Sequence, residues 1–335
     1  NTAGIQLEPV DLLKAKLFRV INTEKALYST IWQACEHTDN YFERNLRQLF
    51  PKADWNSLKF ENLACFRSEN FTESSDQPCQ DNQGKSLAML LDEVRKSEFL
   101  ANSSPQEMDD TQADLDDETV YCRSIISFEL LLIHTLRIFS AQKGWSDLKP
   151  RIKAGNLMAC FECLLIQDEV TIKAFILLLW QVRYQFDTWV VKWVEHDDRE
   201  DPQLRLTNFS GSQSSGKYYI NRTAKELSEL VQLQAVRNFT GERSAHYWLT
   251  ALLAKLVAKP DMPESEVLSV LEHLDNQLSL TTETQKEASF KIAKGEPPVL
   301  ESWESKVGYF RESKGTSFEH YWFQKLEYLL WKNAD

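Results

Sequence analysis

The stretch Glu169–Glu195 constrains the fold most. It carries Phe175, Trp180, Tyr184, Phe186, Trp189 and Trp193 within a helical apolar pattern. Side chains of this size bring a large apolar area, and such a load places the helix in a core. A buried helix needs partners on its flanks, so the rest of the chain has to supply further helices.

The pattern supplies them. A first helix is expected from Pro9, with Val10, Leu13 and Leu17 on one stripe and Glu8 and Asp11 at its positive end. A longer helical pattern covers about Thr23–Phe50, with Leu27, Ile31, Ala34 and Cys35 inward, and Pro51 ends it. Ile125–Phe139 is apolar nearly all round, as a central helix is. Helices are also expected over Ala154–Leu165, Ala224–Phe239, Ser244–Ala258 and Pro263–Leu280. The last, about Ser317–Trp331, has Phe318, Tyr321, Trp322, Leu326 and Leu329 as its apolar side. No segment shows convincing strand alternation, and no repeat has a solenoid period.

Between these helices the pattern weakens from about Arg67 to Thr119. Asn102–Thr119 holds seven carboxylates and no Lys or Arg. It has too little apolar surface to offset the entropy of ordering, so a mobile, solvated loop is expected. A short helix over about Lys85–Phe99 interrupts the region, and Asp197–Gly216 is a second polar, turn-rich loop. The predicted fold is all-α: a multi-helix bundle with long acidic and polar loops. Its parts are an N-terminal helical segment (1–66), an acidic loop region (67–119) and a main bundle (120–335).

Net charge is -12, which makes the whole surface a poor binder of polyanions and leaves only local basic patches. The six cysteines have no framework spacing, so free thiols in a reducing cytoplasm are expected. Ala174–Trp180, the most apolar run, is far too short to cross a bilayer.

Motifs of chemical interest each have a plainer explanation. Gly211-Ser-Gln-Ser-Ser-Gly216-Lys217 begins like a phosphate loop, but Tyr218 stands where a magnesium-binding Ser or Thr is needed. A flexible Gly/Ser loop is expected instead. Cys160 and Cys163 have the spacing of a redox or zinc pair without a second pair, and read as packing thiols. Glu319-His320 resembles the Glu-His of a metal-dependent nuclease, yet an amphipathic helix follows it and no second His completes a site. Lys143, Lys149, Arg151 and Lys153 form the densest basic stretch, joined by Trp145. It is a solvated connection or a surface that contacts DNA phosphates.

Several segments together carry a resemblance. Asn1-Thr2-Ala3-Gly4-Ile5-Gln6-Leu7-Glu8-Pro9, leading into Leu12–Leu17, resembles the Asn-Thr-x-Gly segment and following helix of GmrSD-type proteins. These are modification-dependent restriction and phage-defence enzymes. Phe318–Trp331 resembles the helix that precedes the nuclease in that family. Arg183-Tyr-Gln-Phe-Asp187, Gln232-Leu-Gln-Ala and the run from His246 to Leu253 are similar as well. The family's Asp-Gly-Gln-Gln-Arg and Glu-His-x-x-Pro motifs are not in this sequence.

The resemblance implies the helical middle of a longer protein, between a ParB/sulfiredoxin-like nucleotide domain and an HNH-like nuclease. The start at Asn1, with no initiator Met, fits that expectation. Asn1, Thr2 and Gly4 would approach the rim of the nucleotide site, although Ala3 replaces an Arg common in the family. The implied function is a coupling region of a nucleotide-dependent, DNA-targeting defence endonuclease. No catalytic residue, metal or cofactor is assigned to this segment; a nucleoside triphosphate and a divalent metal are implied for the parent. Expected partners are the adjacent domains and, through the parent, DNA, with no membrane. The alternative is a non-catalytic helical protein-interaction domain.

Overall fold

The computed structural model describes residues 8–55, 57–71, 122–196, 199–214, 217–239 and 245–334. Asn1, Thr2 and Gly4, the acidic run Asn102–Thr119 and the expected helix Lys85–Phe99 lie outside these residues. The described chain is mostly helical.

Its spine is the aromatic helix. In the N-terminal half the helices are α1 (Pro9–Phe18), α2 (Lys25–Glu36) and α3 (Phe42–Leu49). The middle holds α4 (Phe128–Gln142), the short α5 (Leu157–Cys160) and α6 (Glu162–Leu165), and the spine α7 (Glu169–Trp189). Then come α8 (Glu229–Asn238), α9 (Tyr247–Ala258), α10 (Glu264–Leu280), α11 (Gln285–Ala293), α12 (Trp303–Arg311) and α13 (His320–Lys332).

Asp168 starts α7 by accepting a hydrogen bond from the Thr171 amide at 2.9 Å, a standard N-cap. Ile172, Phe175, Ile176, Leu179, Trp180, Val182 and Phe186 of α7 are fully buried, between α2 on one side and α4 and α9 on another. Each such side chain contributes about 1.5–3 kcal/mol by leaving water. The Trp180 indole donates to the Leu63 carbonyl at 2.7 Å, so its burial leaves no unmet donor. Phe42, Phe66 and Phe71 meet its ring edge-on, at 4.9–5.6 Å. Leu13, Leu17, Ile31 and Trp32 join the same continuous core as Leu131, Leu252 and Leu274.

Strands depart from the all-α expectation. β1 (Cys122–Ser124), β2 (Lys192–His196) and β3 (Arg199–Arg205) form an antiparallel sheet in that order. β4 (Thr207–Ser214) and β5 (Lys217–Ala224) pair in a hairpin, from Thr207 opposite Ala224 to Ser214 opposite Lys217. The polar stretch expected as a loop is therefore mostly ladder. The aromatic helix ends at Trp189, and Val190 and Val191 lead into β2 instead of prolonging it. The reason is Gln234 of α8, fully buried. Its side-chain amide donates to the Trp189 carbonyl at 2.8 Å and accepts from the Val191 amide at 3.0 Å.

The long helical pattern over Thr23–Phe50 is two helices, α2 and α3, broken at His37–Tyr41. Thr38, Asp39 and Asn40 favour turns because their side chains compete for local backbone groups. The Ala154–Leu165 pattern is broken into a 3-10 turn and two single-turn helices. On α13 the buried residues are Tyr321 and Tyr328; Leu326 and Leu329, expected inward, are exposed. No helix among the described residues is long and apolar enough to cross a membrane.

Candidate ligand cavity and the ionic frame behind it

The break between α2 and α3 is held by buried charge. Asp187, in the last turn of α7, is fully buried. One carboxylate oxygen accepts from Arg183 at 2.8 Å and Lys192 at 2.6 Å. The other accepts from Arg222 at 3.0 Å and from the Phe42 amide at 3.2 Å, which caps the start of α3. Arg222, on β5, also makes a two-pronged pair with Glu43 at 2.8 and 2.7 Å. Tyr41, Phe60 and Phe209 surround its guanidinium at 4.7–5.4 Å.

Three cations thus face two carboxylates. The surplus is met by backbone: Arg183 donates to the carbonyls of His37 and Asn40, and Lys192 to those of Thr38 and Asn40. Burial alone would raise the Asp187 pKa, but Lys192, Arg183 and Arg222 outweigh it and hold the carboxyl below the usual range. Both oxygens already have two donors, so Asp187 has no lone pair for a substrate proton. The cluster is a frame that joins α3, α7, β2 and β5.

A second buried knot ties α4, α9 and α11. Arg137 grips Asp147 through both oxygens at 2.9 and 3.0 Å, and also donates to Thr250, Ser289 and the Lys286 carbonyl. His134 Nδ1 lies 2.7 Å from the Thr250 hydroxyl oxygen. Burial, then the Arg137 charge, push the His134 pKa well down, so the imidazole is neutral. Arg137 donates to the same oxygen, so one hydroxyl of α9 joins both side chains of α4.

A cavity of about 530 Å³ lies where α8–α11 meet the α12–α13 segment. Its walls are largely aromatic: Phe239, Tyr247, Trp248, Phe318 and Trp322. Arg237 and Lys306 bring positive charge to the lining and Glu319 a carboxylate. Arg237 donates to Asp275 at 3.3 Å and Gln285 at 3.1 Å. Asp275 is shared with Lys325 and accepts from the Tyr321 hydroxyl, which fastens α13 over the cavity. Glu272 does the same lower down, accepting from Tyr328 at 2.9 Å and Lys332 at 2.5 Å.

His246 forms part of this wall and also lines a shallower cavity of about 380 Å³ beside Asp39 and Arg123. Its backbone is left-handed, with φ 44°, and burial pushes its pKa down to about 4. It is a neutral ring at pH 7.

The residues expected to act are distributed as follows. Lys143, Lys149, Arg151 and Lys153 are all exposed on the connection that follows α4. Leu148 and Ile152 are buried beneath it, and Lys286 pins it by donating to the carbonyls of Leu148 and Pro150. Glu319 and His320 begin α13 and line the cavity. Gly211–Ser214 and Lys217 lie on the β4–β5 hairpin, so a strand, not a helix, follows Lys217 and no helix terminus awaits a phosphate there. Cys160 is buried and Cys163 half-buried, both as free thiols. Burial raises the Cys160 pKa to about 11, which makes it a poor nucleophile or ligand at neutral pH.

Glu43, Lys192, Arg222, Arg237 and Trp248 were not singled out from sequence. One signal was available: Arg137 and Arg183 sit inside otherwise apolar helical runs, where an arginine must find a partner. No family model, curated protein or solved structure matches the chain.

Proposed function

We propose that this chain is the helical coupling region of a nucleotide-dependent, DNA-targeting defence endonuclease of the GmrSD type. The observation that carries the reading is where the segments of resemblance fall. Arg183 and Asp187 form the centre of the ionic frame, Gln234 closes the α7–β2 junction, and His246 and Thr250 stand at the cavity wall and the second knot. These residues hold remote parts of the chain in fixed relation, which a coupling element requires. A displacement at α1 would pass through α2, α7, α9 and α10 to α13 as a rigid-body shift. The exposed basic connection Lys143–Lys153 would add salt-dependent contacts to DNA phosphates.

The test is nucleotide-dependent DNA cleavage by the intact protein, with and without Glu43→Gln. Loosening the frame should preserve nucleotide hydrolysis and reduce cleavage. Nucleotide hydrolysis or DNA cutting by residues 1–335 alone would overturn the reading.

One observation favours the alternative, a non-catalytic protein-interaction domain. Trp303, Phe323, Leu326, Leu330 and Trp331 expose apolar surface on α12 and α13. Under that reading, Leu326→Glu with Leu330→Glu would abolish association with a partner and the intact protein would cut no DNA.

A further inference from the structure

We infer that the outer face of α13, with the groove between it and α8, docks a basic amphipathic helix of a partner protein and takes one arginine side chain of that helix into the groove.

The face itself is apolar. Phe323, Leu326 and Leu330 recur at i, i+3 and i+7 along α13, the spacing that lines up one side of a helix. They are 53–64% exposed. Phe310 of α12 extends the face: its ring lies 6.3 Å from that of Phe318, which lies 5.0 Å from that of Phe323. With Trp331 at the far end, these side chains leave on the order of 500 Å² of apolar surface in water. The largest patch on a typical monomer is about 300–600 Å² and is often functional.

Charge decides what covers it. Glu319 and Glu327 stand one turn before and one turn after Phe323. Both are exposed, and neither carboxylate has a hydrogen bond or ion pair among the described residues. Glu304, at the start of α12, is exposed and unpaired in the same sense. The nearby lysines are occupied: Lys306 by Glu301, Lys325 by Asp275, and Lys332 by both Glu229 and Glu272. Arg311 is the one Lys or Arg of α12 and α13 without a partner among the described residues. The rim is therefore acidic, and the net charge of -12 adds to its field. A second copy of the chain would set this rim against itself, and an anionic membrane would meet it with like charge. A basic partner is complementary.

The groove selects the side chain. A hollow of about 290 Å³ lies between α8 and α13. Gln324, Glu327 and Trp331 line it from α13 at helical spacing, and Val236 and Phe239 from α8. No Lys or Arg is among its described lining residues. The Gln324 side-chain oxygen is buried and has no donor among the described residues. An arginine stem can lie along Val236 while its guanidinium donates to Glu327 and Gln324 beside the Trp331 ring. The planar fork reaches two acceptors at once, which the point charge of a lysine does less well.

The inference takes its apolar surface from the interaction reading above and holds whether or not the parent cuts DNA. Fluorescence anisotropy of the chain with labelled synthetic peptides tests it. The peptides are a leucine–arginine amphipathic helix, the same composition scrambled to remove the apolar stripe, and the helix with lysine for arginine. The arginine helix should bind tenfold or more tighter than the scrambled peptide and several-fold tighter than the lysine one. Glu327→Gln should weaken it several-fold and flatten its salt dependence. Leu330→Ser should weaken it by about tenfold, as uncovering a leucine does. Both side chains are exposed, so the melting temperature should be retained. Glu162→Gln, exposed on the short α6, should change nothing. Equal binding of the scrambled or the lysine peptide, unchanged affinity in Glu327→Gln, an equal loss in Glu162→Gln, or no binding would each overturn the inference. So would a dimer of the free chain that Leu330→Ser dissociates, which would give the face to a second copy. If the peptides fail while Leu326→Glu with Leu330→Glu still abolishes a partner's association, the basic helix is wrong and the interaction reading stands.

Discussion

Arg222 and Glu43 meet through two parallel hydrogen bonds, 2.8 and 2.7 Å long, although 179 residues separate them in sequence. Both side chains are buried, so the pair is shielded from water and from salt. Its stability value lies less in attraction than in the penalty for breaking it.

Glu43→Gln should therefore destabilise the chain by about 3–5 kcal/mol, because an unbalanced guanidinium remains buried. Replacing both residues with leucine should cost less than the sum of the single replacements. Urea unfolding of the four species measures the difference. Strict additivity would show that the two side chains are not coupled.

Acid should act on the histidines before it acts on the carboxylates. Burial lowers the folded pKa of His246 to about 4 and holds that of His134 well down, while an unfolded histidine titrates near 6.5. Between those values the unfolded chain binds more protons, so stability is full above about pH 6.5 and falls as pH drops towards 4. For His246 alone the total is roughly 3 kcal/mol. Asparagine tolerates the left-handed backbone at position 246, so His246→Asn should fold and show a shallower decline. Unfolding free energies at pH 7.5, 6, 5 and 4.5 give the comparison; parallel curves would remove His246 as the source.

Gln234→Leu should cost about 1–3 kcal/mol, since it strands the buried Val191 amide and takes the donor from the half-buried Trp189 carbonyl. Amide hydrogen exchange at Val191 is the local readout. Its protection should drop more than that of the α4 core; equal protection would mean another group holds the junction.

Lys149→Glu with Arg151→Glu should leave stability nearly unchanged, because both side chains are exposed. DNA affinity of the intact protein should fall, and the slope of log affinity against log salt should decrease by about two phosphate contacts. Unchanged affinity would make the stretch an ordinary solvated connection.

The sequence by itself determined the helices whose inward faces are apolar. Phe175, Trp180 and Phe186 predict the spine, and Leu131, Leu136 and Phe139 its neighbour, because burying such residues at helical spacing has few other solutions. Tertiary structure decided the rest. The β4 run Thr207–Ser214 has no apolar alternation, so nothing local marks it as a strand; its ladder exists because β5 lies opposite. Val190 and Val191 continue a helical pattern, and Gln234, brought in from α8, bonds the backbone on both sides of the turn there. Tyr321 faces inward on α13 as its apolar side predicts, but Tyr328 joins it in place of Leu326 and Leu329, because Glu272 offers an acceptor to its hydroxyl. The frame and the cavity share that origin. Apolar periodicity is a local signal read within one helix, whereas a charge finds its partner, and a cavity its walls, from residues far apart in sequence.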